Sequence, residues 1–193
     1  MPADARQLIR KQIRQARQQL FSAQQQQAAH ALCQQFLNLP ELLNSQHIAV
    51  YLHNDGEIAT AELINSLWQL GKSVYLPVLH PFTSGYLLFQ HYQPNTLLAS
   101  NKYGIAEPIL SCQDIKVVAE LDLILTPLVA FDAQGQRMGM GGGFYDRTFA
   151  DQPLAQRRMI GLAHDCQQVA CIPTEAWDVP LPMVLTPSAV FRF

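Results

Sequence analysis

The chain has 193 residues, 49% of them hydrophobic and 15% charged, with a formal net charge of -2. That length and balance predict one globular domain with a substantial core, residues 1–193, and the near-neutral charge argues against a protein that grips nucleic acid through bulk positive charge. No apolar run approaches the roughly 20 residues of a spanning helix, and the basic N-terminus has no apolar segment behind it, so neither a membrane span nor a secretory leader is expected. Cys33, Cys112, Cys166 and Cys171 include no C-x-x-C pair. Scattered cysteines of this kind predict reduced thiols and a cytoplasmic protein. His164, Cys166 and Cys171 lack a fourth ligand and the spacing of a zinc site.

From Ala3 to Leu20, Leu8, Ile9, Ile13, Ala16 and Leu20 recur at three- and four-residue steps, which predicts an amphipathic helix. Arg6, Arg10, Arg14 and Arg17 share one face of it. Such a face is commonly solvated, yet forked guanidinium donors also suit phosphate and carboxylate. Ser22 and Gln25 predict a capping box for a second helix ending near Leu37. His47 to Leu52 predicts a strand and Asn54-Asp55-Gly56 a turn. Thr60 then caps a helix from Ala61 to Leu70, Gly71 ends it, and Val74-Tyr75-Leu76 resumes a strand. This is a β-α-β unit with parallel strands. Glu57 sits in the loop beyond its first strand, where open α/β sheets bind ligands. Tyr86 to Tyr92 predicts a further strand, Lys102 to Pro108 an irregular loop, Leu121 to Leu125 a buried strand closed by Thr126-Pro127, and Arg158 to Ala163 another strand. Pro173, Pro180, Pro182 and Pro187 predict a tail that runs extended or in short turns, in which Asp178 alone reads as a surface acid.

The centre of the chain is Arg137-Met138-Gly139-Met140-Gly141-Gly142-Gly143-Phe144-Tyr145-Asp146-Arg147, between the buried strand and a predicted helix from Phe144 to Ala150. Glycines at this density let backbone N–H groups converge on an anion, and phosphate is the usual guest. Neither common glycine fingerprint fits: no Lys-Ser/Thr follows for a Walker loop, and G-x-G-x-x-G fails from Gly139 and from Gly141. Arg137 enters the loop, Arg147 leaves it, and Asp146 stands between as a candidate magnesium ligand.

Together these segments resemble the 5-formyltetrahydrofolate cyclo-ligase family over nearly the whole chain. Gly135 to Arg147 is similar to the family signature G-x-R-L-G-x-G-x-G-Y-Y-D, with Met138 and Phe144 as conservative changes. Arg6 to Arg10 is similar to its K-x-x-L-R start, Leu52 with Asp55-Gly56-Glu57-Ile58 to its substrate loop, Tyr103 to Pro108 to its G-I-x-E-P segment, and Ile172 to Val179 to its ending. The resemblance implies an α/β fold, a three-layer sandwich around a mostly parallel sheet with N-terminal helices. It implies conversion of 5-formyltetrahydrofolate to 5,10-methenyltetrahydrofolate with ATP and Mg2+, through a phosphorylated formyl group. On it, Arg6, Gln7, Leu8, Ile9, Arg10, Arg137, Met138, Gly139, Met140, Gly141, Gly142, Gly143, Phe144 and Tyr145 are expected to bind ATP. Arg137 and Tyr145 are the expected catalytic residues, Leu52, Glu57 and Tyr103 line the folate site, and Asp146 and Asp178 hold the metal. A small-molecule substrate is implied, with no nucleic acid, membrane or obligate protein partner. The residues alone admit two rivals: an α/β protein that phosphorylates something else, and a folate-storage module without turnover.

Overall fold

In a computed structural model the described residues are 2–193. The chain opens with α1 (Pro2–Gln18), α2 (Ser22–Leu37) and the single turn α3 (Pro40–Leu43), then enters the sheet with β1 (His47–Ala49). α4 (Ala61–Gln69) and β2 (Ser73–Leu79) complete the β-α-β unit, and β1 and β2 pair in parallel from His47 with Ser73 to Ala49 with Tyr75. Antiparallel β3 (Leu87–Tyr92) follows, then the hairpin β4 (Leu98–Ser100) and β5 (Ala106–Pro108), and β6 (Ile115–Lys116). The second half holds β7 (Leu123–Pro127), the ribbon β8 (Ala130–Phe131) and β9 (Arg137–Met138), α5 (Phe144–Phe149), α6 (Pro153–Gln156), β10 (Met159–Leu162), β11 (Met183–Leu185) and β12 (Val190–Arg192).

The main sheet has the order β12-β11-β10-β7-β1-β2-β3-β6. β11, β10, β7, β1 and β2 are parallel, and antiparallel strands flank them. The parallel strands are nearly all buried because both faces are covered. On one face Leu32, Cys33 and Phe36 of α2 and Leu63, Ile64 and Leu67 of α4 pack on Ile48, Val74, Leu123 and Ile160. On the other, Phe149 and Ala155 from α5 and α6 pack on Ala49, Tyr75, Phe89, Ile124 and Met159. Two apolar layers around one sheet give the three-layer sandwich expected from sequence. Ile9 and Ile13 of α1 join a smaller cluster with Ala130, Met138 and Ile172, which lays that helix beside the glycine loop.

Several local expectations shift. Gln24, not Gln25, closes the start of α2: its Oε1 accepts the Phe21 N–H at 2.9 Å, and Ser22 is already helical. Thr60 does occupy the cap position of α4, but its hydroxyl donates to the Tyr51 carbonyl at 2.6 Å and ties that helix to the end of β1. Thr126 and Pro127 do not close β7 after Leu125; they are its last two residues, paired with Gly161 and Leu162 of β10. The segment from Lys102 to Pro108 is half of a hairpin, and the proline-rich tail contributes two strands to the sheet. All four cysteines are unpaired, and among the described residues no helix is long and apolar enough to cross a membrane.

Candidate active site

A cavity of about 460 Å³ opens beyond the carboxyl ends of the parallel strands. Its floor is Tyr51 and Leu52 after β1, Leu76 and Pro77 of β2, and Pro127 and Leu128 at the end of β7. The β4–β5 hairpin forms one wall through Asn101, Tyr103, Ile105 and Glu107. The glycine loop and the start of α5 form the other through Gly139, Met140, Gly142, Gly143, Phe144, Tyr145 and Asp146, with Arg137 beside them. Strand ends fix both walls, as expected where an α/β sheet hosts a ligand.

Helix α1 crosses these loops and uses all four arginines of its basic face. Arg6 sends Nη1 and Nη2 to the two oxygens of Asp178 at 2.5 and 3.1 Å, and Arg10 Nε donates to the Gly139 carbonyl at 2.9 Å. Arg14 and Arg17 both close on Asp55, at 2.7 and 2.8 Å. The face that alone would be read as solvated is the contact between α1 and the ligand loops. The Asp178 side chain is 7% exposed and is not that of a surface acid. Burial works to raise its pKa, but the Arg6 fork and the Glu175 N–H outweigh that and hold it below the ordinary carboxylate range.

The glycine loop turns through left-handed backbone. Gly141 and Gly143 take φ of +102° and +65°, and Gly143 is the residue from which α5 starts. Arg147 Nη1 donates to the Gly142 carbonyl at 2.6 Å and folds over the loop, close enough to Gly85 that a Cβ there would meet it at 2.5 Å. Gly143→Ala is expected to lower Tm by about 3–6 °C, the cost of about 1–2 kcal/mol for a side chain in left-handed backbone. Gly71→Ala is the control, with φ of +70° and open space around it. Both variants should melt lower, and only Gly143→Ala should weaken nucleotide binding; equal nucleotide affinity in the two would show the loop to be structural.

Arg137 is 4% exposed, with Nη2 on Asp146 Oδ1 at 2.5 Å and its guanidinium 5.9 Å from the centre of the Tyr145 ring. Burial lowers its pKa and Asp146 opposes the loss of charge. Its Nε has no partner, and neither does the Tyr51 hydroxyl of the cavity floor. Buried donors are rarely left unpaired in a folded protein, so two on residues that line one cavity mark positions where a ligand can complete the bonding. Burial also raises the pKa of both phenols, Tyr51 and Tyr145, which keeps them as neutral hydrogen-bond donors.

Glu57 lines the same cavity, near enough to the Tyr145 and Tyr51 phenols that its charge helps to raise their pKa. Its N–H donates to the Asn54 carbonyl at 2.9 Å and its Oε2 accepts the Asn54 N–H at 3.0 Å, which closes a tight turn. Burial pushes its carboxyl up to about 7, with the Asn54 N–H and Arg17 pulling the other way. Tyr103 stands at the rim, 55% exposed and edge-on to Phe144 at 5.7 Å. Its loop is shaped by Asn101, whose Oδ1 accepts the Tyr103 and Ile105 N–H groups and whose Nδ2 donates to Glu107.

The cavity thus brings together Leu52, Glu57, Tyr103, Arg137, Gly139, Met140, Gly142, Gly143, Phe144, Tyr145 and Asp146. Gly141 is on the outer side of the loop beside Arg10, and Met138 is core beneath it. Of the α1 segment, Gln7 and Arg10 line a neighbouring groove that Met140 separates from the cavity, Leu8 is exposed, and Ile9 packs inward. Sequence reasoning missed Tyr51 and Asn101, and it placed Asp55 and Glu107 only in segments similar to the family's, without a role of their own. Tyr51 and Asp55 carried a signal, since one lies at the end of a predicted strand and the other in the turn after it; Asn101 carried none.

These features define an α/β protein with a cavity at the carboxyl ends of its strands, walled by the β4–β5 hairpin on one side and by the glycine loop with Arg137 on the other. Residues 2–187 match the model of the 5-formyltetrahydrofolate cyclo-ligase family, and the chain belongs to that family. It is 51% identical to the 5-formyltetrahydrofolate cyclo-ligase of Haemophilus influenzae, over 94% of this chain and 97% of the relative. It is 47% identical to that of Escherichia coli K12, over 94% of this chain and all of the relative. The NMR structure of Aquifex aeolicus 5,10-methenyltetrahydrofolate synthetase superposes with a TM-score of 0.80 at 26% identity, covering 97% of this chain and 92% of the other.

Proposed function

We propose that the whole chain acts as one catalytic domain that converts 5-formyltetrahydrofolate and ATP to 5,10-methenyltetrahydrofolate, ADP and phosphate. The observation that carries this reading is a buried Arg137 with an unpaired Nε, which lines one cavity together with the glycine loop and Glu57. The formyl oxygen attacks the γ-phosphorus, the bond to the bridging oxygen of ADP breaks, and an iminophosphate forms. N10 then attacks the formyl carbon, phosphate departs with the formyl oxygen, and the N10 proton is lost. Such a transfer needs positioning and charge stabilisation more than covalent help from the protein.

The residues divide accordingly. Gly139 to Tyr145 cradle the phosphates with main-chain N–H groups, and Arg6 and Arg10 hold the nucleotide from α1. Arg137 stabilises charge on the transferring phosphoryl group, and the neutral Tyr145 hydroxyl donates beside it. Leu52 and Tyr103 hold the pterin faces, and Glu57 accepts its N–H donors.

A magnesium ion fits one carboxylate better than the other. Asp146 spends Oδ1 on Arg137 and the Val179 N–H and faces the cavity, so its Oδ2 can serve as the single protein ligand that magnesium often takes beside phosphate oxygens. Asp178 has both oxygens on Arg6 and must release that fork to reach an ion. Bound there, magnesium would neutralise charge on the ATP phosphates. Asp146→Asn is expected to raise the magnesium concentration for half-maximal rate several-fold; an unchanged titration would make Asp146 the partner of Arg137 alone. The overall reading is tested by absorbance at the methenyl-folate band after mixing protein and 5-formyltetrahydrofolate, which should grow only when Mg-ATP is present.

A further inference from the structure

Asp55 is the one non-glycine residue with positive φ among the described residues, at +50°. Every oxygen it offers is taken by α1. Arg17 Nε donates to its carbonyl and Nη2 to Oδ2, both at 2.8 Å. Arg14 spans both carboxylate oxygens at 2.7 and 3.2 Å, and Gln18 Nε2 donates to Oδ1 at 2.6 Å. Arg17 is 0% exposed, and its third arm reaches the Leu128 carbonyl of the cavity floor at 3.4 Å. The next residue, Gly56, lies against the Arg17 stem: a Cβ there would sit 3.4 Å from Cγ. Two residues beyond Asp55 is Glu57, whose aim depends on this backbone. The other half of α1 holds the glycine-loop wall through Arg10 on Gly139, and Arg6 on Asp178 ties it to the tail segment whose Val179 N–H donates to Asp146. Arg6 and Arg17 stand about 16 Å apart along one uninterrupted helix.

Resting on the function proposed above, we infer that Asp55 and Arg17 are positioning residues for Glu57, and that α1 couples the folate loop to the nucleotide loop so that each substrate tightens the binding of the other. A rigid helix pinned at both ends moves one loop only with the other. Nucleotide that orders the glycine loop therefore also orders the turn that carries Glu57, and the folate meets a site whose ordering entropy has already been lost. Linkage makes the effect reciprocal: folate must raise nucleotide affinity by the same factor. A positioning pair and a purely architectural one differ in what the variants do to binding.

The test uses Asp55→Asn, which keeps the shape and tolerates the left-handed backbone but loses the charge. Affinities for 5-formyltetrahydrofolate and a non-hydrolysable ATP analogue are measured by calorimetry, each alone and with the other saturating. In the natural protein each ligand is expected to tighten the other by at least about fivefold, the lower end of ordinary coupling. In Asp55→Asn that factor should fall towards one and folate alone should weaken, with nucleotide alone unchanged because Arg6 and Arg10 are intact. Arg17→Lys, which keeps the charge but loses the fork, should show the same pattern. A coupling factor of one in the natural protein, or a factor preserved in both folded variants, overturns the inference. Loss of cyclisation by the natural protein in the absorbance assay would sink the proposed function instead, so the two failures are distinct.

Discussion

Arg137→Ala is expected to lower kcat by about a hundredfold, the loss typical when one fixed donor is removed from developing transition-state charge. KM for ATP should change far less, because the glycine cradle and the α1 arginines remain. The substitution also has a folding cost. Asp146 keeps only the Val179 N–H from its present partners and is 16% exposed, and breaking a buried pair costs about 3–5 kcal/mol. Arg137→Lys separates the two effects. Lysine restores a cation near Asp146 but cannot hold that carboxylate and present a second donor at the position of Nε. Its Tm should recover towards that of the natural protein while kcat stays at least tenfold low. Full recovery of kcat in the lysine variant would show that charge alone suffices and that the unpaired Nε has no part in the reaction.

Glu57→Gln should separate binding from stability in the opposite way. A charged acceptor facing the pterin's N–H donors contributes about 1.5–3 kcal/mol, so KM for the folate should rise ten- to a hundredfold with kcat less affected. The carboxyl sits at about 7, so the natural protein should gain kcat/KM for folate as pH rises from 6 to 8, and the glutamine variant should not. Stability runs the other way. A carboxyl raised by burial favours folding while protonated, and that advantage is lost between its ordinary 4.5 and about 7. Near pH 5 the two proteins should therefore melt at similar temperatures, and above pH 7 the glutamine variant should be more stable by about 2 kcal/mol after screening by solvent. A glutamine variant whose folate KM and pH profile match the natural protein would remove Glu57 from the substrate site.

The strands with unbroken apolar runs and the helices with regular steps were legible, because burial on one or two faces dictates those patterns. The β1–α4–β2 unit, β7 and β10 follow from periodicity alone, and the glycine loop follows from composition. The tail was harder: Met183 to Leu185 is a short apolar run between prolines, and it becomes a central-sheet strand only because β10 offers an edge. The β4–β5 hairpin was hidden for a similar reason, since Leu98 to Ser100 is exposed and pairs through backbone rather than pattern. Within the site, residue types named the anion loop and the candidate acids, but not their partners. Nothing in the order of residues says that Arg6 closes on Asp178 or Arg17 on Asp55. Those pairs span 172 and 38 positions, and only the fold brings them together.

The central claim is that the formyl oxygen leaves on phosphate. The most direct measurement is mass spectrometry of the phosphate released when 5-formyltetrahydrofolate carrying a heavy-oxygen formyl group is cyclised with unlabelled ATP in unlabelled water. One heavy oxygen is expected in each phosphate formed and none in ADP. Unlabelled phosphate, with the heavy oxygen found in water, would mean that ATP is hydrolysed separately from ring closure, and the roles given to Arg137 and the glycine loop would not stand.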